Sequence, residues 1–225
     1  MRRVNGFIFC LVILTLICSA ARAENVKILL LMSNNYGANH YLDRDNFEEF
    51  GWDVTTAGLS QTVSPCPLYA GPLGCPPIIV DFHVLEITDI TQYDVLALMP
   101  VSWRAGNPHS DLLGSPETLD LIAEAVDSGL VVYAHCSGPI VLAAAGVLEG
   151  VNITGRPEYQ AEYLAGGANY LGSNVLPVID GNIVTSTRGM YYHEANCQAI
   201  ATALENNQIR NIQDDDKETG DEEEK

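Results

Sequence analysis

Five residues, Ala134-His135-Cys136-Ser137-Gly138, constrain this chain more than any other stretch of it. They follow the apolar run Leu130-Val131-Val132-Tyr133 and precede Pro139 and a helix-like segment from Ile140 to Leu148. Small-x-nucleophile-x-small between a strand and a helix reads as a nucleophile elbow. A sharp turn lifts one side chain above the sheet, and small residues two places to either side let the backbone fold that tightly. The thiol of Cys136 would sit at a helix N-terminus, where the dipole and free N–H groups favour thiolate. The N–H of Ser137 would point toward a developing oxyanion.

Around the elbow the chain alternates strand-like and helix-like segments. Val26 to Met32 is a near-continuous apolar run, as a strand buried on both faces requires, and Ser33 to Gly37 breaks it. A helix is expected up to Phe50, ended by Gly51, then a second strand from Trp52 to Ala57. Ile78 to Ile87 reads as extended, and Asp94 to Met99 as a buried strand ending at Pro100. Ser115-Pro116-Glu117 starts a helix with a capping hydroxyl and a proline in the first turn; Gly129 stops it. Asn152-Ile153-Thr154 looks like a short strand, and also matches the glycosylation acceptor pattern. Asp180-Gly181 joins Val175–Ile179 to Asn182–Thr187 as a hairpin, and a last helix spans about His193 to Leu204. This order implies an α/β domain with a mostly parallel sheet, whose ligands bind beyond the carboxyl ends of the strands.

The ends differ from the middle. Met1-Arg2-Arg3, the apolar Phe7 to Ile17 and Ala21-Arg22-Ala23 make a secretory signal peptide over residues 1–23. The domain is expected over 24–207 and a disordered acidic tail over 208–225. A formal net charge of −18, with no basic patch, argues against nucleic-acid binding. Once the leader is removed, no membrane anchor is expected. Outside the leader lie Cys66, Cys75, Cys136 and Cys197. Cys66 and Cys75 bracket a Pro/Gly-rich loop and read as a disulfide in an oxidising compartment, with two unpaired thiols as the alternative. Cys197 reads as a small buried hydrophobe.

In its pieces and their spacing the chain resembles the ThiJ/PfpI family of the class I glutamine amidotransferase-like superfamily. The matching pieces are Lys27-Ile28-Leu29-Leu30-Leu31, Gly51 to Gly58, Tyr93 to Pro100, the elbow, Gly150 to Thr154, and Asp180 to Ser186. The resemblance implies a flavodoxin-like three-layer sandwich with a mostly parallel sheet and a nucleophile elbow. It also implies a homodimer and Cys136 as the reactive thiol. In the family a glutamate after the first strand hydrogen-bonds the cysteine; ungapped counting puts Asn39 in that slot, with Asp43 the nearest acid. Relatives carry Pro-Gly-Gly where this chain has Pro100-Val101-Ser102-Trp103, so an oxyanion N–H would come from Val101 or Ser102, and Trp103 would narrow the pocket. PfpI-type members place a histidine after the cysteine, where Ser137 stands here.

Two histidines remain candidates for the base. His135 precedes the thiol and is either catalytic or a hydrogen-bonded structural residue; His193, next to Glu194, opens the last helix. His40 could line the cleft mouth, whereas His83 and His109 read as loop residues. Tyr36, Trp103, Tyr191 and Tyr192 could rim a pocket or serve dimer packing. No spacing resembles a metal site, and no cofactor is expected. The expected activity is that of a hydrolase, glyoxalase or deglycase acting on a small carbonyl or amide. The alternative is a non-catalytic member that serves as an oxidisable thiol or a small-ligand binding module.

Overall fold

The computed structural model of the chain describes residues 26–37, 42–70, 74–99, 111–173, 175–188 and 192–220, with backbone only over 211–220. The expected leader, and the expectations for Asn39, His40, Val101, Ser102, Trp103, His109 and Tyr191, lie outside the described residues.

Apolar runs become the centre of the sheet. Strand β1 (Lys27–Met32) pairs in parallel with β2 (Asp53–Gly58) on one side and β6 (Val95–Leu98) on the other, and every residue of β1 after Lys27 is buried. Strand β7 (Val131–His135) continues the parallel register beside β6. Both faces of these strands are covered, which is why their sequences show no polar alternation. Beyond β7 come β11 (Ile183–Ser186), parallel, and β10 (Val178–Asp180), antiparallel through the hairpin at Asp180-Gly181; Gly181 takes φ 61°. With β5 (Phe82–His83) at the far edge, the order is β10-β11-β7-β6-β1-β2-β5.

Helices cover the two faces. On one, α1 (Asp43–Glu49) buries Asp43 and Phe47, one helical turn apart, and α6 (His193–Gly220) lies alongside. On the other are α3 (Pro116–Asp127), α4 (Pro139–Ala144) and α5 (Gln160–Ala165). The Ser115 hydroxyl caps α3 by accepting from the Thr118 N–H at 3.2 Å, as the sequence implied. The chain runs outward from β1 to β2 and β5, then returns to β6 on the other side of β1. That reversal sets the carboxyl ends of β1 and β6 side by side, one strand away from the elbow.

Several segments depart from expectation. The stretch between β2 and β5 is a small excursion in which β3 (Thr62–Val63) pairs with β4 (Ile78–Ile79) around α2 (Pro67–Ala70). The expected Cys66–Cys75 disulfide is not formed, and both side chains are buried. They pack as apolar groups with Val63, Tyr69 and Val80, and backbone bonds already close the loop: Cys66 O accepts from Tyr69 and Ala70, and the Cys75 N–H donates to Tyr69 O at 3.2 Å. Helix α6 continues past Leu204 to Gly220, since no glycine or proline interrupts it before that point. Helix α5 and the parallel pair β8 (Asn152–Ile153) with β9 (Asn169–Tyr170) complete the region after the elbow.

Candidate functional site

Cys136 is one of two described non-glycine residues with positive φ, at 56°. That backbone strains an L-residue, and it persists because neighbours hold both sides of the turn. The Cys136 N–H donates to Ser186 O on β11 at 2.9 Å, and the Gly138 N–H closes the turn on His135 O at 2.8 Å. A Cβ on Gly138 would stand 3.0 Å from His135 O and 3.2 Å from the Ala134 Cβ, which is the physical reason for small residues on either side of the thiol. The elbow read from the sequence is therefore present in geometry as well as in pattern.

The thiol differs from the exposed thiolate expected there. Cys136 is 8% exposed, and burial pushes its thiol up to about 11. The Arg156 guanidinium and the Ser137 N–H pull the other way, while the Asp43 and Glu158 carboxyls add to the rise. Helix α4, only six residues long, offers a weak dipole against that desolvation. The Ser137 N–H, expected to face an oxyanion, is directed at the sulfur.

Arg156 is a neighbour of the thiol that the sequence reading missed. Its N–H donates to Cys136 O at 3.1 Å, so the turn after β8 is fastened to the elbow. Its side chain pairs with Glu158 through two parallel bonds, Nε to Oε2 at 3.1 Å and Nη2 to Oε1 at 2.6 Å. Arg156 is among the few basic residues of an acidic chain, and it follows a glycine and precedes a proline, which is the only local signal that could have singled it out. Tyr163 lies underneath, its hydroxyl donating to Cys136 O at 3.5 Å.

His135 and Asp43 occupy the opposite side. The His135 ring stacks on Tyr133, with centroids 5.4 Å apart, and its Nε2 lies 3.4 Å from Asp43 Oδ2 on α1. Both side chains are almost fully buried, and burial holds the Asp43 carboxyl well above the usual carboxylate range. Strand alternation explains the placement, because His135 shares the face of Tyr133, Phe47 and α6. His193 joins this side too. It borders a cavity of about 10 Å³ where Asp43, Tyr133 and His135 meet, and also an open groove of about 720 Å³ between α1 and α6.

Tyr36, expected to line the pocket, is a correction: it is fully buried. Its backbone bridges Pro65, and its carbonyl accepts from the Cys66 N–H at 2.7 Å, which draws the ring into the core beneath the β3–β4 excursion. Beyond the carboxyl end of β1 the Asp111 carboxylate gathers the following loop, accepting from Ser33 Oγ at 2.6 Å and from Asn34 Nδ2 at 2.8 Å. Nothing in the sequence pattern marked Asp111. Among the described residues no group of three His, Cys, Asp or Glu side chains is arranged to hold a metal ion.

Comparison with known proteins places this geometry among relatives. The fold matches that of a ThiJ/PfpI domain protein from Brachyspira murdochii at a TM-score of 0.67 and 21% identity, covering 81% of this chain and 98% of that one. It matches Drosophila melanogaster DJ-1beta at 0.63 and 21% identity, covering 84% and 98%. A two-domain protein from Anabaena variabilis, with dj-1/thij/pfpi-like and ferritin-like domains, matches at 0.65 and 21% identity, over 80% of this chain and 48% of that one. In sequence, an uncharacterised protein of Methanocaldococcus jannaschii is 29% identical over 124 residues, which span 54% of this chain and 58% of that relative. The sequence model of the DJ-1/PfpI family matches residues 27–202, so the elbow and both flanking acid–base pairs lie within the match, and the chain belongs to the DJ-1/PfpI family.

Proposed function

We propose that this chain is an exported, cofactor-free enzyme of hydrolase, glyoxalase or deglycase type, working as a homodimer and using Cys136 as its nucleophile on a small carbonyl or amide. The observation that carries this reading is the positive φ of Cys136 at the strand–helix turn, a strained conformation whose effect is to present the sulfur at the carboxyl edge of the sheet. In the carbonyl case the sulfur adds to the carbonyl carbon, the C=O π bond breaks, and the thiol proton ends on the oxygen. With the thiol near 11, only about one molecule in ten thousand is thiolate at pH 7, so proton loss accompanies attack instead of preceding it.

Consumption of methylglyoxal by the full-length protein tests the proposal. Activity is expected to rise with pH through the alkaline range and to disappear in Cys136→Ser. Equal consumption by the wild type and the serine variant would overturn it. One observation favours a second reading: a thiol held neutral by burial suits a resting binding site that turns nothing over. That reading expects methylglyoxal to survive, and Cys136 to resist peroxide, since oxidation follows thiolate character.

A further inference from the structure

We propose that the site is built for a small carbonyl compound that also carries a carboxylate, with Arg156 binding the carboxylate while Cys136 attacks the carbonyl carbon. This rests on the nucleophile reading above and assigns its substrate class.

Arg156 is held at a set spacing from the nucleophile. Besides its N–H bond to Cys136 O, the turn that bears it is pinned from below. Thr154 donates its N–H to Thr185 Oγ1 at 2.9 Å and its hydroxyl to Gly172 O at 2.6 Å. The next residue has no room for a side chain, because a Cβ on Gly155 would stand 2.6 Å from the Tyr163 hydroxyl. A surface arginine with no binding role would need no such platform.

The guanidinium spans both environments. Its side chain is 22% exposed, so one end reaches solvent, while the charge acts on the buried thiol. The partner already on it shows what it accepts: Glu158 presents a carboxylate to the fork in the bidentate geometry that suits this group. Glu158 is itself half exposed, so its side of the fork is open to solvent. A substrate carboxylate can share the fork or replace Glu158. The chain as a whole carries a formal charge of −18, which repels anions at a distance, so recognition of one must come from a local cation. Addition of the sulfur to the aldehyde carbon of such a compound gives a hemithioacetal, the thiol proton passing to the carbonyl oxygen, with no further reactant.

The test compares alkylation of Cys136 in the full chain by iodoacetate and by iodoacetamide, read by peptide mass spectrometry. Both react with the thiolate, so the ratio of the two rates cancels any change in thiol acidity or burial and reports the charge beside the sulfur. The ratio is expected to fall about tenfold in Arg156→Met, to stay within about threefold of wild type in Arg156→Lys, and to shrink in about 0.5 M salt. It should rise in Glu158→Gln, which removes the competing carboxylate. Glyoxylate, an aldehyde with a carboxylate, should slow iodoacetamide labelling in the wild type and the lysine variant but not in the methionine variant. A ratio that stays within about twofold of wild type in Arg156→Met overturns the assignment. Should that variant fail to fold, an unchanged or lowered ratio in Glu158→Gln does so instead. Failure of iodoacetamide to label Cys136 at any pH overturns the nucleophile reading, a result distinct from either of these.

Discussion

Two acid–base pairs flank the end of β7, and they are built in opposite ways. Arg156 and Glu158 form two short, parallel hydrogen bonds on a partly exposed turn. Asp43 and His135 are sealed between α1, α6 and the sheet, and the 3.4 Å approach of Nε2 to Oδ2 makes no hydrogen bond. Exposed charges are cheap to hold and easy to exchange, so good geometry there can serve a ligand. Buried ones are held in place by their surroundings, and poor geometry survives because packing leaves no alternative. The difference separates a side whose charges reach solvent from a side whose charges do not.

Cutting each pair should show this most strongly. His135→Ala removes a buried ring that stacks on Tyr133 and leaves the Asp43 carboxyl facing a void. A loss of about 3 kcal/mol is expected from chemical denaturation. Glu158→Gln on the exposed side should cost less than about 1 kcal/mol. Similar losses from the two would break the comparison and make the Arg156 pair structural.

Gly155→Ala sharpens the contrast by disturbing the exposed side from below. The added methyl would meet the Tyr163 hydroxyl at 2.6 Å and the ring carbon Cε2 at 3.1 Å, and Tyr163 is fully buried, so it has nowhere to move. A loss of about 1–2 kcal/mol is expected by the same measurement, together with slower alkylation of Cys136 as Arg156 shifts away from the sulfur. An alanine variant as stable as wild type and equally reactive would mean that the platform does not position Arg156.

The sequence speaks clearly where one local cause decides the outcome. Ile28 to Met32, Val95 to Leu98 and Val131 to Ala134 announce central strands because burial on both faces leaves no room for polar alternation. Asp180-Gly181 and Ser115 announce a turn and a cap because each works through its immediate neighbours. The same holds for Cys136, whose strained backbone depends on the small residues beside it. What stays hidden depends on contacts between distant segments. Arg156 reaches the thiol only because β8 lies beside the end of β11, and Asp43 meets His135 only because α1 crosses over β7. Helix α5 is too short to show a periodic pattern, and the burial of Tyr36 depends on the β3–β4 excursion that covers it. The acidity of Cys136 stays hidden for a related reason: the helix terminus is visible in sequence, whereas the burial that outweighs it is not.

A further expected effect concerns the sealed side and has an unusual sign. Burial raises the folded-state pKa of Asp43, so between the ordinary carboxyl value and that raised value the folded protein holds a proton that the unfolded chain has released. Stability contributed by this group is therefore full below about pH 4 and is lost as pH rises toward the folded value, the reverse of a carboxylate in a good ion pair. Asp43→Asn keeps the shape, removes the ionisation and should raise stability at pH 7 by about 1 kcal/mol, with the gain vanishing near pH 4. Thermal unfolding of the two proteins across that range reads the difference directly. A variant less stable than wild type at pH 7 would show that His135 and a charged Asp43 attract each other strongly enough to outweigh desolvation, and the two flanking pairs would then be alike in kind, differing only in exposure.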